Sequence, residues 1–137
     1  MMSHAESSLK MASWNANSLL NHIHEFYYFL SENSIDICTV QETCLNSKSL
    51  IPSHPDFQWH IMNRQTLDQS EVRRAGGVAI VIRRSVRQKL LRIPHTQLLE
   101  CIGVKLLDGN QRIDVFSVYP PERADSNDKR NLYRTDI

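Results

Sequence analysis

The first third of the chain changes from strand-like to helix-like spacing of its apolar residues and back again. A short apolar run at residues 9–15 predicts a strand. Four apolar residues then recur at spacings of four, three and four, namely Leu19, Ile23, Phe26 and Leu30. This spacing predicts one apolar helical face that ends near Glu32, and the apolar run at 35–40 predicts a second strand. A crossover helix makes two such strands parallel, so their carboxyl ends lie at one edge of the sheet.

The rest of the chain predicts mostly antiparallel strands. Strand-like apolar runs lie at 57–62, 76–82, 98–107 and 111–119. The Asp-Gly step between the last two runs is a strong signal for a hairpin. For residues 85–91 the sequence predicts either a helical turn or an irregular, basic edge of the sheet. One β-α-β unit followed by such strands indicates an α/β or α+β fold with a mixed sheet.

Composition and charge narrow the class of protein only slightly. With 41% hydrophobic and 23% charged residues, the chain has the composition of a globular domain. Residues 63–95 carry eight Arg or Lys against two acidic residues, which suits a polyanionic partner or an ordinary solvated loop. Three cysteines without a C-x-x-C pair argue against a disulfide scaffold or a zinc ribbon. No apolar run approaches the ~18 residues that span a membrane, so we expect no membrane partner and an intracellular location.

Polar side chains follow the two parallel strands where each is predicted to end. Asn15 and Asn17 follow the first strand, and Glu42 follows the second. A carboxylate and a carboxamide that converge there can bind one divalent metal ion, and Mg²⁺ prefers one or two carboxylates completed by phosphate oxygens. A lone Glu at a strand end is often only a loop residue, and Asn17 or Ser18 is also suited to cap the helix. Both interpretations stay open at this point.

Two further groups suit contact with phosphates. Tyr119 ends the last strand before a pair of prolines, where its phenol can donate to a phosphate oxygen or simply pack on the proline rings. Arg64, Arg73 and Arg74 lie in the loop before the Gly-Gly strand. They can neutralise nucleic-acid phosphates, or they can be solvated as in many such loops.

Taken together, these motifs resemble the endonuclease/exonuclease/phosphatase superfamily. Within it the chain is most similar to the endonuclease domain that precedes the reverse transcriptase in non-LTR retrotransposons. The matching stretches are 14–19, 35–43, 76–80 and 117–121. The resemblance implies part of a four-layer sandwich, with mixed, mostly antiparallel sheets and flanking helices. It implies that residues 9–137 are a truncated, N-terminal part of that domain, behind a disordered leader at 1–8.

The resemblance also implies roles for individual residues. The implied catalytic residues are Asn15, Glu42 and Tyr119, with Glu42 and Asn15 at a Mg²⁺ (or Mn²⁺) ion and Tyr119 at the scissile phosphate. The implied contacts to duplex DNA are Asn17, Arg64, Arg73 and Arg74. No small-molecule cofactor is implied, and an enzyme acting on chromosomal DNA would be nuclear.

Two motifs that complete the site in the family are missing from the sequence. Family members continue with a G-D-F-N-type segment and a Ser-Asp-His-type ending, and neither occurs before Ile137. Because the histidine base would be absent, the resemblance implies little nicking of DNA by this chain alone. Because strands of the second sheet would also be missing, the apolar faces at 76–82 and 111–119 would lack packing partners, which implies a marginally stable or aggregation-prone fold. The alternatives are another enzyme of the superfamily, such as a repair endonuclease or a phosphoesterase, and a non-catalytic nucleic-acid-binding remnant.

Overall fold

A computed structural model describes residues 8–63, 76–93 and 99–120 of the chain. Within these ranges the strands are β1 (Met11–Asn15), β2 (Ile37–Gln41), β3 (Phe57–Met62), β4 (Val78–Arg83), β5 (Gln88–Leu90), β6 (Glu100–Asp108) and β7 (Gln111–Tyr119). A 3-10 turn at Leu19–His22 leads into the helix α1, Ile23–Glu32. The described helices are all too short or too polar to cross a membrane.

The first four strands form one mixed sheet in the order β1-β2-β4-β3. β1 and β2 are parallel, with Met11 opposite Ile37 and Asn15 opposite Gln41, and α1 is the crossover between them. β4 runs antiparallel to both of its neighbours. The predicted β-α-β unit is therefore confirmed, and the carboxyl ends of β1 and β2 lie at the same edge.

The last three strands form a second, antiparallel sheet in the order β5-β6-β7. β6 and β7 make the predicted hairpin, whose register places Asp108 opposite Gln111 at the turn and Glu100 opposite Tyr119 at the open end. The prediction of a helical turn or irregular edge at 85–91 is wrong, because Gln88–Leu90 pairs with β6 as a short edge strand. Pairing with a neighbouring strand outweighs the weak local preference of this basic segment.

The hydrophobic core lies on both faces of the first sheet. Along β4, Ala79 and Val81 pack in the cluster that includes α1, while Ile80 and Ile82 pack against the second sheet. All four are buried, which explains why this strand reads as a continuous apolar run and not as an alternating one. Helix, sheet and sheet form successive layers, and the predicted mixed α/β class is confirmed.

The predicted side-chain cap of the helix is wrong. Asn17 and Ser18 have φ values of 43° and 84°, and Ser18 makes no side-chain hydrogen bond to the 3-10 turn. The backbone N–H groups of Ser18 and Leu19 instead donate to the carbonyls of Glu42 and Thr43, each at 3.0 Å. The end of β2 supplies the acceptors that a capping side chain would otherwise supply.

Candidate functional site

The exits of β1 and β2 lie side by side and are joined through their backbones. The N–H of Ala16 donates to the carbonyl of Gln41 at 2.8 Å, immediately before the two bonds to Glu42 and Thr43. We call the edge formed by residues 15–19, 41–44 and 76–77 the rim. The expectation that Asn15, Asn17 and Glu42 share one edge of the sheet agrees with this backbone geometry.

Backbone conformations that non-glycine residues rarely adopt are concentrated at the rim. Among the described residues, the non-glycine residues with positive φ are Asn17, Ser18, Ser34, Glu42 and Cys44. All but Ser34 belong to the rim. Each such conformation costs on the order of 1–3 kcal/mol and persists only where the surroundings hold it, which is common at functional sites. The φ of 52° at Glu42 places this strain on the candidate metal ligand itself.

A glycine pair forms the wall of the rim behind Glu42. The N–H groups of Thr43 and Cys44 donate to the carbonyls of Gly77 and Gly76 at 3.2 and 2.9 Å. Gly77 has a φ of 89°, and a Cβ there would lie 2.3 Å from Oγ1 of Thr43. Thr43 is itself only 1% exposed. Glycine is therefore required at position 77 for both its conformation and its small size.

The second sheet brings Tyr119 to the same place. Its hydroxyl donates a short hydrogen bond to Oε1 of Glu42. Two strand positions earlier, the hydroxyl of Ser117 donates to the carbonyl of Val40 at 2.9 Å and accepts from Nε2 of Gln41 at 3.1 Å. Ser117 is fully buried, so these bonds fix the end of β7 against the end of β2. The structure thus joins Tyr119 to Glu42 directly.

Glu100 is a rim neighbour that the sequence reasoning missed. Its Oε2 accepts the N–H of Gly77 at 2.6 Å, and it lies opposite Tyr119 in the β6–β7 register. A signal was available, because counting back along the predicted hairpin from its Asp-Gly turn places residue 100 opposite residue 119. A carboxylate facing a candidate site residue across a hairpin is a reason to examine it.

The donor groups at the rim are of the type that a hard divalent cation requires. Glu42 offers a carboxylate, and Asn15 offers a carboxamide oxygen that already accepts the N–H of Asn17 at 3.2 Å. Within the described ranges, no three His, Cys, Asp or Glu side chains are grouped to hold a metal. A single carboxylate with neutral oxygens fits Mg²⁺ or Mn²⁺ only when substrate phosphates or water complete the shell.

The ring and hydrogen-bond contacts of three described histidines do not include Glu42. His22 packs edge-on against Trp14 with ring centroids 6.3 Å apart, and His54 lies 4.9 Å from the ring of Tyr27. The Nε2 atom of His60 is 3.0 Å from Oε1 of Gln88. None of these contacts joins an imidazole to the Glu42 carboxylate.

Two of the three cysteines are poorly suited to bind a metal ion. No disulfide joins Cys38, Cys44 and Cys101. Burial raises the pKa of Cys38 to about 12, and it also raises the pKa of Cys101. A thiol that stays protonated is a poor ligand.

The predicted DNA-contacting arginines cannot be compared with this geometry. Arg64, Arg73 and Arg74 lie outside the described residues, so their roles stay predictions. Asn17 lies within them, at the rim, with its N–H bonded to Asn15.

Comparison with known proteins places this geometry in context. Residues 12–136 match the sequence profile of the endonuclease/exonuclease/phosphatase family. No curated protein sequence matches the chain. The crystal structure of the AP endonuclease LMAP from Leishmania major aligns with a TM-score of 0.65 and 13% identity, covering 93% of this chain and 44% of that one. This likeness supports the fold.

Two structures of NExo from Neisseria also align. One is a 3′ phosphatase bound to a product DNA hairpin, with a TM-score of 0.46, 21% identity and coverage of 78% of this chain and 40% of that one. The other is the 3′-5′ exonuclease from Neisseria meningitidis, with a TM-score of 0.47, 21% identity and coverage of 77% and 40%. The chain spans less than half the length of each of these three structures.

Proposed function

Because the chain belongs to the endonuclease/exonuclease/phosphatase family, we propose that it is the N-terminal part of a divalent-metal-dependent DNA nuclease domain. The observation that carries this proposal is the Glu42 carboxylate, held by the Tyr119 hydroxyl at the rim that Asn15 also occupies. The family reaction is phosphodiester hydrolysis, and the order of the motifs along the chain favours an origin in a non-LTR retrotransposon. In that setting the domain would nick duplex chromosomal DNA in the nucleus.

Glu42, Asn15 and Tyr119 each have a distinct part in this proposal. Glu42 and Asn15 would hold Mg²⁺ or Mn²⁺, with DNA phosphate oxygens completing the shell. The bound metal would polarise the scissile phosphate and stabilise the leaving oxygen. Tyr119 would orient the Glu42 carboxylate through its hydroxyl and contact the phosphate.

The wider DNA contact would come from residues flanking the rim. Asn17 follows β1 at the rim, and Arg64, Arg73 and Arg74 belong to the basic block at 63–95. Each arginine that neutralises a phosphate would make binding weaker as salt is raised. Backbone contacts of this kind set the register of the duplex without reading its sequence.

We also propose that this chain alone binds DNA more readily than it cuts it. Hydrolysis needs a base positioned to take a proton from the attacking water. Within the described ranges, the ring and hydrogen-bond contacts of His22, His54 and His60 do not include Glu42. Glu42, Asn15 and Tyr119 would bind the metal ion and the phosphate, but none of them is assigned as the base. We therefore expect this chain to hydrolyse DNA slowly.

Binding of a labelled DNA duplex tests the proposal, with fluorescence anisotropy measured in Mg²⁺ and again in excess chelator. The wild-type chain should bind more tightly with Mg²⁺, and Glu42→Gln should lose that difference. The control is Glu32→Gln, which removes an exposed carboxylate at the end of α1 and should behave as wild type. Binding that neither Mg²⁺ nor Glu42→Gln changes would contradict a metal site and favour a non-catalytic DNA-binding remnant.

A plasmid-nicking assay with Mg²⁺ tests the expected low turnover. Robust nicking by the wild type that is lost in Glu42→Ala would support the nuclease but overturn the claim that the chain turns over slowly. Selective incision at an abasic site would favour a repair endonuclease instead. If inositol phosphates inhibit the activity and added duplex DNA does not, the result would favour a phosphoesterase.

A further inference from the structure

We propose that Glu100 is a positioning residue that holds Glu42 in its metal-binding conformation. This inference deepens the proposed function, because it rests on a metal ion at Glu42. Glu100 is half-buried at the start of β6 and touches the rim from the side of the second sheet. Its effect on Glu42 follows two routes, one through the backbone and one through Tyr119.

The backbone route passes through the glycine pair. Oε2 of Glu100 accepts the N–H of Gly77 at 2.6 Å. The carbonyl of the same glycine accepts the N–H of Thr43, and the carbonyl of Gly76 accepts the N–H of Cys44. These two amides follow Glu42 directly along the chain. Fixing the Gly76-Gly77 peptide therefore fixes the turn in which Glu42 sits.

The side-chain route passes through the β6–β7 hairpin. Glu100 and Tyr119 are opposite one another in the register, so the position of one strand end determines that of the other. The Tyr119 hydroxyl donates to Oε1 of Glu42. Residue 100 thus anchors both the main chain after Glu42 and the strand whose phenol orients the Glu42 carboxylate.

The turn needs such an anchor because its conformation is unfavourable by itself. Glu42 and Cys44 have φ values of 52° and 55°, in the left-handed region that non-glycine residues avoid. Without external hydrogen bonds the turn would relax and move the carboxylate away from the metal. An acceptor that reaches the N–H of Gly77 from outside the turn provides such a hydrogen bond. Glu100 supplies this bond at a distance of 23 residues in sequence from Gly77.

Two substitutions separate the reach of Glu100 from its charge. Glu100→Gln keeps the length of the side chain and an acceptor oxygen for the N–H of Gly77, but it removes the negative charge. Glu100→Asp keeps the charge but is one methylene shorter, so its carboxylate no longer reaches that N–H. A positioning role depends on whether the side chain is long enough to accept the N–H of Gly77. A role as a metal ligand, or as a source of electrostatic attraction for the metal ion, depends on the negative charge.

The measurement is the affinity of the purified chain for Mn²⁺, followed by electron paramagnetic resonance of the free ion in the presence of a short DNA duplex. Glu100→Asp should weaken Mn²⁺ binding by about tenfold or more, which is typical when a group supporting a metal ligand is lost. Glu100→Gln should remain close to the wild type. Thermal melting of both variants, followed by circular dichroism, shows that the affinity is compared between folded chains.

Asp114→Asn is the matched control, because it removes an exposed carboxylate from the same sheet. It lies five residues before Tyr119 along β7, roughly 17 Å away at the rise of a strand, which is beyond the Debye length in physiological salt. It should leave Mn²⁺ affinity unchanged.

The possible outcomes separate this inference from the function it rests on. If Glu42→Gln leaves Mn²⁺ affinity unchanged, the proposed metal site itself is wrong. If Glu42→Gln abolishes binding while Glu100→Asp and Glu100→Gln both bind normally, the metal site stands and the role of Glu100 is wrong. Weakening by Glu100→Gln with Glu100→Asp close to the wild type would also overturn it, because that pattern assigns the effect to charge.

Discussion

The substitution Gly77→Ala tests whether the wall of the rim is as tightly packed as the structure shows. Gly77 connects Glu100 to the turn after β2, because its N–H donates to Glu100 and its carbonyl accepts the N–H of Thr43. A methyl group at this position would lie 2.3 Å from Oγ1 of Thr43, well inside van der Waals contact. Thr43 is 1% exposed and has little room to move away.

The expected loss of stability has a backbone part and a packing part. The φ of 89° at position 77 is unfavourable for alanine, and a left-handed conformation costs about 1–2 kcal/mol in a non-glycine residue. Forcing an extra methyl into a packed site costs typically another ~1–3 kcal/mol. Gly77→Ala should therefore lower the free energy of unfolding by about 2–5 kcal/mol, a large share of the ~5–15 kcal/mol typical of a whole domain.

Gly109 provides the control that separates the two parts. It has a φ of 60° in the β6–β7 turn, and a Cβ there would meet no atom within 4 Å. Gly109→Ala should thus show only the backbone part, about 1–2 kcal/mol. Removing the obstacle in the double variant Thr43→Ala/Gly77→Ala should recover the packing part relative to the sum of the single variants.

Urea unfolding followed by tryptophan fluorescence gives these free energies, because Trp14 and Trp59 both pack against the core of the first sheet. Gly77→Ala should shift the midpoint to clearly lower urea than Gly109→Ala does. Equal shifts for the two variants would show that Thr43 does not crowd position 77. Strict additivity in the double variant would lead to the same conclusion.

Two further predictions concern the core beside the site. Because burial raises the pKa of Cys38 to about 12, its thiol should react with iodoacetamide far more slowly than Cys44 in the native chain at neutral pH. Peptide mass spectrometry over time measures this, and equal rates would contradict the burial of Cys38. Trp59→Phe removes the indole N–H that donates to the hydroxyl of Tyr27 at 2.9 Å, so it should lower stability by about 1 kcal/mol. The pKa of Tyr27, already raised by burial, should rise further without that donor, and ultraviolet titration would show no change if the bond is absent.

Much of the fold follows from local patterns in the sequence. The spacing along α1 and the apolar runs of β3 and β7 predict these elements nearly to the residue, because side chains at those positions pack on faces with a fixed period. The helix between β1 and β2 determines that their ends share an edge. For this reason the sequence alone predicts that Asn15 and Glu42 lie at the same edge of the sheet.

The missed features depend on contacts between distant segments. The side-chain cap predicted at Asn17 or Ser18 is replaced by carbonyls of Glu42 and Thr43, which no local preference can indicate. The strand β5 forms only because β6 offers an edge to it. Glu100 accepts the N–H of Gly77 across 23 residues, and no motif around residue 100 indicates that contact.

The central claim is that a divalent metal ion binds at Glu42 when DNA phosphates complete its shell. The most direct test is anomalous diffraction from crystals of the chain grown with a short DNA duplex and Mn²⁺. We predict an anomalous peak within coordination distance of the Glu42 carboxylate, with a phosphate oxygen as a further ligand. A peak elsewhere, or DNA bound at the rim without a metal at Glu42, would contradict the account.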